Sequence, residues 1–256
     1  MGRWLAMGAL VLLGAALAHP AVADGTDSTR GPGARRLAHR SRSLGFPFRG
    51  RLRRAVELRP SSHLRLLPEA RGDGRFHGTW ELVQLLERAA YRVARRVPGS
   101  KLTVGELSAE EGGPIPGHAS HQNGRDVDIS FYMTDAAGRP YEPFAFAAFD
   151  RNGVGLPPNQ SLRFDDARNW ELVAKLVADG DAKVQFIFVA RTLRERLLAE
   201  GRRRRAPARV LERASRLLVQ PASGNPHRNH FHLRMYCPPS SRPACQDRAP
   251  FHPWYR

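Results

Sequence analysis

The chain has 256 residues, 41% of them apolar, and a formal net charge of +17 from 41 Lys and Arg against 24 Asp and Glu. That is enough for a real core in one domain or two small ones, and the absence of an internal repeat excludes a solenoid. The charge points to polyanions (an acidic wall polymer, an anionic membrane face, nucleic acid) or to nothing beyond an arginine-rich composition.

The first 23 residues, MGRWLAMGALVLLGAALAHPAVA, carry a positive charge at Arg3, an apolar run from Trp4 to Leu17, and a small-x-small end at Ala21-Val22-Ala23. This is the pattern of a cleaved secretory signal, with an earlier cut after Ala18 as the variant reading. A membrane anchor is the rival, but the run falls short of the roughly 20 residues a bilayer requires, and His19 and Pro20 interrupt it. Residues 24–42 are rich in Gly, Ser and Arg and read as a flexible basic linker. The remaining residues, 43–256, form the folded domain.

Residues 44–70 mix short apolar positions with turn residues and predict short strands or extended wrapping segments. GTWELVQLLERAAYRVARRVPGS predicts a helix capped by Thr79, with Leu82, Val83, Leu85, Leu86, Ala89, Ala90 and Val93 on one face and Pro98-Gly99 as its stop. KLTVGEL predicts a short strand, followed by the loop EEGGPIPGHASHQNG. In RDVDISFY, Asp126, Asp128 and Ser130 fall on one face of a strand, opposite Val127, Ile129 and Phe131. FDDARNWELVAKLVADG predicts a second helix, and VQFIFVA a central strand. Residues 191–218 read as two basic helices broken at Gly201 and Pro207. FHLRMY predicts a last strand, with His232, Arg234 and Tyr236 on one face. The class is α+β: a small antiparallel sheet flanked by helices, with long loops.

Chemistry concentrates in GHASHQNGRDVDI and NPHRNHFHLR, which together hold half of the ten histidines. His121 precedes Asp128 by seven positions, with the Asn123-Gly124 turn between them; His230 and His232 share a strand face. A His, Asp and His set suits Zn²⁺ and leaves a fourth position for water. His230 and His227 are candidates for proton transfer, and His118 and Asp126 for orienting the ligands. A nuclease metal site built on HRNH is a rival, whereas H-E-x-x-H is absent, which removes that protease class. His19, His39, His63, His77 and His252 read as ordinary surface or core residues. Cys237 and Cys245 fit a disulfide closing a short loop better than a thiolate metal site, which would need a second cysteine pair.

Both windows resemble the signatures of the penicillin-insensitive murein endopeptidases, within the wider metallopeptidase group of lysostaphin, the D-alanyl-D-alanine peptidases and the hedgehog zinc domain. SLGFPFRGRL, the helix around Trp80 and FDDARNWELV are similar to this family as well, so the resemblance runs from Ser43 to Tyr236. It implies zinc held by His121, Asp128 and His232, catalysis by His230 with help from His227, and accessory places for His118 and Asp126. It also implies hydrolysis of D-alanyl to meso-diaminopimelyl cross-links of peptidoglycan in the periplasm, without a serine acyl-enzyme and hence insensitive to penicillin. The alternative is an inactive secreted wall-binding protein of the same fold. Cross-link peptides are the expected partners and nucleic acid is not expected. A homodimer and peripheral membrane contact are compatible with the sequence. The basic run Gly201–Arg205 reads as a solvated helix end or as a contact to an anionic wall or membrane.

Overall fold

The computed structural model describes Met1 and residues 41–255. The segments read as a signal and a linker lie outside the described residues, from residue 2 up to residue 40. Arg42, read as the linker's last residue, opens the first strand, β1 (Arg42–Phe46), which pairs antiparallel with β2 (Arg49–Arg53). Val56–Glu57 (β3) pairs with His77–Gly78 (β5) across the chain that contains Leu64–Leu66 (β4). Then come helix α1 (Trp80–Arg96) and strands β6 (Leu102–Val104) and β7 (Asp126–Ser130). A ribbon of β8 (Met133–Thr134), β9 (Pro140–Tyr141) and β10 (Arg163–Phe164) leads into α2 (Asp166–Ala178) and β11 (Val184–Phe188). Helices α3 (Arg191–Arg203) and α4 (Ala208–Leu217), β12 (Leu218–Val219) and β13 (His230–Met235) complete the fold.

The central sheet runs β12-β11-β13-β7-β6-β4. Its four middle strands are antiparallel, as the alternating patterns require. Each edge strand is parallel to its neighbour, which makes the sheet mixed rather than purely antiparallel. Alternation places the apolar positions of β7 and β13 on one face: Val127, Ile129, Phe231 and Leu233 are fully buried. They share one core with Leu82, Leu86 and Val93 of α1 and Trp170, Val173 and Val177 of α2. Each such side chain contributes about 1.5–3 kcal/mol by leaving water. The polar positions of both strands line the opposite face, which carries the candidate site.

Two contacts tie the core to that face. Thr79 caps α1, its hydroxyl accepting from the Leu82 amide, and its own amide donates to Gly124 O at 2.9 Å. Gly124 sits at φ +75°, a conformation glycine adopts without strain, so the Asn123-Gly124 turn follows the helix start. Gly201 does not break a helix: α3 runs through it, and glycine stands there because a Cβ would lie 2.5 Å from the Trp170 ring. The break falls at Arg204–Pro207, between α3 and α4. In the basic run, Arg203 and Arg204 both donate to Glu200, which neutralises part of it at the helix end.

The C-terminal segment is fastened from inside. Arg125 is fully buried and donates to Met235 O, Gln246 O and the Asp247 carboxylate. Asp247 also accepts from the Cys237 amide, and a disulfide joins Cys237 to Cys245. No helix of the described residues is long and apolar enough to cross a membrane.

Asp247→Ala leaves the Arg125 guanidinium buried without its carboxylate, and the expected cost is about 3–5 kcal/mol in chemical denaturation. Hydrogen bonds from Arg203 and Arg204 depress the Glu200 carboxyl from 4.5 to about 2. Its contribution to stability is therefore present above pH 4.5 and lost as pH falls towards about 2. Glu200→Gln should be less stable than wild type at neutral pH, and thermal melts should converge across that acid window.

Candidate metal centre

Pairing of β7 with β13 sets His232 opposite Asp128, Arg234 opposite Asp126 and His230 opposite Ser130. The two histidine windows therefore meet as neighbouring strands. The loop before β7 adds His118 and His121, and the loop before β13 adds His227. His121 and His227 hold left-handed backbone conformations, with φ of +68° and +54°. These are uncommon for residues other than glycine and persist only where surrounding bonds fix them. The His121 amide donates to Asp126 Oδ2 at 3.2 Å, and the His227 amide to Asn225 Oδ1 at 2.8 Å.

Three acceptor atoms converge. His121 Nε2 lies 3.4 Å from Asp128 Oδ1, His232 Nδ1 lies 3.1 Å from the same oxygen, and the two nitrogens are 3.3 Å apart. His121 Nδ1 is 2.8 Å from Leu107 O, which can only accept, so the ring proton sits on Nδ1 and Nε2 presents its lone pair. His232 Nε2 makes no hydrogen bond but stands 3.5 Å from the Asp126 carboxylate, a setting that favours the ring proton on Nε2 and leaves the Nδ1 lone pair at the cluster. Asp128 Oδ1 is buried without a hydrogen-bond donor. Lone pairs packed in this way repel unless a cation or proton stands among them. Ligand atoms about 2.0–2.1 Å from a tetrahedral zinc stand about 3.3 Å apart, so this donor set fits the ion in both chemistry and spacing.

His118, His121 and Asp128 form an overlapping group within 4.8 Å. His118 fits less well as the third ligand. Its Nε2 is bonded to Glu106, and its Nδ1 is 3.8 Å from Asp128 Oδ2. Glu106 also accepts from Arg75 at 2.7 Å, so an Arg-Glu-His chain reaches the cluster from the side. The hydrogen bond between them raises the His118 pKa and lowers that of Glu106.

The charge states differ by partner. Burial would push Asp126 and Asp128 up, but both stay well below the usual carboxylate range. Arg234 holds Asp126 there through two 2.8 Å bonds; His121, with His232 beside it, holds Asp128. Burial opposes a charge on His232, yet Asp126 and Asp128 raise it to about 9. His230 and His227 go the other way: burial lowers both, His227 to about 4, with help from the neighbouring histidines. His230 packs on Phe146, keeps its Nε2 3.5 Å from Asp128 Oδ1, and has no partner at Nδ1. His227 Nδ1 is 2.7 Å from Asn225 O, which leaves Nε2 as its acceptor. A cleft of about 500 Å³ opens over these rings, walled by Phe48, Phe188 and the 223–225 loop. A larger cleft of about 900 Å³, between Arg42, Arg51–Arg54 and Glu110–Glu111, shares no residue with it and contains no histidine.

The structure thus gathers His118, His121, Asp126, Asp128, His227, His230 and His232 at one place. His63, His77 and His252 make separate local contacts, and His19 and His39 lie outside the described residues. Sequence reasoning did not single out Glu106, Arg75, Phe146, Phe188 or Arg234 as site residues. Arg234 had a signal: two places after His232 on the same strand face, it faces whichever acid pairs there. Glu106 and Phe146 had none, because loops bring them in.

Residues 43–253 match the family model described as penicillin-insensitive murein endopeptidase. Similar curated proteins bear that same name. One from Klebsiella pneumoniae subsp. pneumoniae is 30% identical over 180 residues, covering 69% of this chain and 59% of the relative. One from Haemophilus influenzae is 29% identical over 182 residues, covering 69% and 57%. One from Salmonella arizonae is 28% identical over 178 residues, covering 68% and 58%. The alignments span under two thirds of the length of these relatives. By its match along most of its length, this chain belongs to the penicillin-insensitive murein endopeptidase family.

Proposed function

We propose that the chain is a zinc-dependent D,D-endopeptidase of the periplasm. It hydrolyses D-alanyl to meso-diaminopimelyl cross-links of peptidoglycan and is insensitive to penicillin. The observation that carries this reading is the convergence of the His121 Nε2, Asp128 Oδ1 and His232 Nδ1 lone pairs beside two neutral histidines in an open cleft. Relatives named for murein endopeptidase activity support the substrate class.

His121, Asp128 and His232 would hold the ion. Zinc bound there supplies a Lewis acid for amide hydrolysis at neutral pH. Asp126, locked by Arg234, keeps the His232 ring turned so that Nδ1 faces inward. His230, neutral and against the ligand atoms, takes a proton from the water that attacks the scissile carbonyl carbon. That proton passes to the leaving amine nitrogen as the C–N bond breaks, and the products are a free carboxylate and a free amine. His227 offers its Nε2 lone pair to the cleft, where it assists by accepting a hydrogen bond from the attacking water. Since no side chain is acylated in this scheme, a β-lactam finds no serine to block.

The test incubates the mature protein, lacking residues 1–23, with purified cross-linked muropeptide dimers, and reads products by mass spectrometry. Dimers should become monomers with a gain of one water, a chelator should stop this, and added zinc should restore it. Intact dimers with folded, zinc-loaded protein would assign it to the wall-binding alternative. His121→Ala and His232→Ala should lose both bound zinc, read by elemental analysis, and turnover. His230→Ala should keep zinc and lose about 10²–10⁴-fold in turnover, the range for a removed proton-transfer group.

A further inference from the structure

Beside the histidine cleft lies a second hollow of about 270 Å³, continuous with it through Phe48, Phe188 and Arg234, which line both. Two stacked pairs of rings face it. Phe46 and Phe48 are 5.2 Å apart at 10°, and Phe186 and Phe188 are 4.9 Å apart at 17°. The guanidinium carbon of Arg248 stands 4.7 Å from the centroids of both Phe46 and Phe48.

Arg248 is the unspent cation of this hollow. Arg234 is occupied by Asp126, and Arg125 by Asp247, whereas Arg248 has no acidic partner among the described residues. Its backbone is nevertheless fixed. Arg248 O accepts from Gln185 Nε2 at 2.6 Å, the Gln246 amide donates to Gly45 O at 3.0 Å, and Arg125 holds Gln246 and Asp247 from below. An exposed arginine normally loses much side-chain freedom on binding; here contact with two phenyl rings already restrains the guanidinium. Its N–H edge is left to take a carboxylate in two parallel hydrogen bonds. The phenyl rings beside it suit methyl and methylene groups, not a second charge.

We propose that this hollow is a substrate subsite for a free carboxylate of the cross-linked peptide, with Arg248 as its specificity-determining residue. The inference rests on the peptidoglycan reading above, in which the ligand is a short peptide. Two carboxylates of such a peptide have this chemistry: that of the diaminopimelyl residue and that of the terminal D-alanine. Each is carried on a short aliphatic arm that the phenyl rings can cover.

The test compares wild type with Arg248→Ala on the dimer and on two versions of it, one amidated at the diaminopimelyl carboxylate and one at the terminal carboxylate. On the unmodified dimer, Arg248→Ala should raise KM about tenfold and leave kcat within about twofold, because ground-state binding is what it removes. One of the two amides should raise the wild-type KM by the same factor, and on that substrate the variant should add nothing further. The amide that does so names the carboxylate. An unchanged KM for Arg248→Ala on the dimer, or the same penalty on both amides, would overturn the subsite. Calorimetric binding of an uncleaved tetrapeptide monomer separates this result from failure of the activity itself. With wild type turning over no dimer, an approximately tenfold weaker Arg248→Ala complex still supports the subsite, and equal affinities reject it.

Discussion

The site depends on the register between β7 and β13. With His232 opposite Asp128 and Arg234 opposite Asp126, cross-strand neighbours supply two of the three converging donor atoms and the ion pair behind them. Directly opposed residues in such a pair stand about 4.5–5.5 Å apart, close enough for side chains on one face to meet. A slip of one residue would carry every histidine and aspartate to the apolar face. Burial of Val127, Ile129, Phe231 and Leu233 against α1 and α2 prevents that slip. The hydrophobic core thus acts on the site through alignment, not through contact with its donor atoms.

That alignment concentrates charge in a place where charge is costly. Asp126 and Asp128 are almost wholly buried, and an isolated buried carboxylate would simply take up a proton. Asp126 is satisfied by Arg234, whose planar fork matches it in two bonds, and by the His121 amide. Asp128 is satisfied only in part, since its Oδ1 has no donor. A purely structural pair would have closed that valence with an arginine or a backbone amide, as Asp126 does. Leaving it directed at two imidazole lone pairs marks the difference between a residue that supports the site and one that forms it.

How much of this was legible in the sequence follows from the range of each interaction. The Thr79 cap, the apolar stripe of α1 and the alternation of β7 and β13 are local patterns, and they stand where the sequence placed them. The ring of seven histidines and aspartates was legible from spacing and resemblance together. Gly201 was misread because a glycine signals a helix end when seen alone; packing against Trp170 is a distant fact. Parallel edge strands of two or three residues leave no pattern of their own. Glu106, Phe146 and Arg248 reach the site through loops or the C-terminal segment, whose paths depend on buried anchors such as Arg125.

The histidines show how one residue type is divided among roles by what stands next to it. His232 lies between two carboxylates, which outweigh its burial and favour a positive partner for its lone pair, proton or metal. His230 is two residues away on the same strand, but it packs on Phe146 and touches Asp128 only at 3.5 Å, so burial prevails and the ring stays neutral. His227 lies one further step out, fixed by Asn225 and surrounded by the other imidazoles, and is the most resistant to protonation of those lining the cleft for which a value is resolved. Across about one strand width the environment passes from one that favours a positive charge to one that keeps imidazoles neutral. At neutral pH a place that favours a cation and a neutral imidazole cannot be supplied by histidines in the same surroundings.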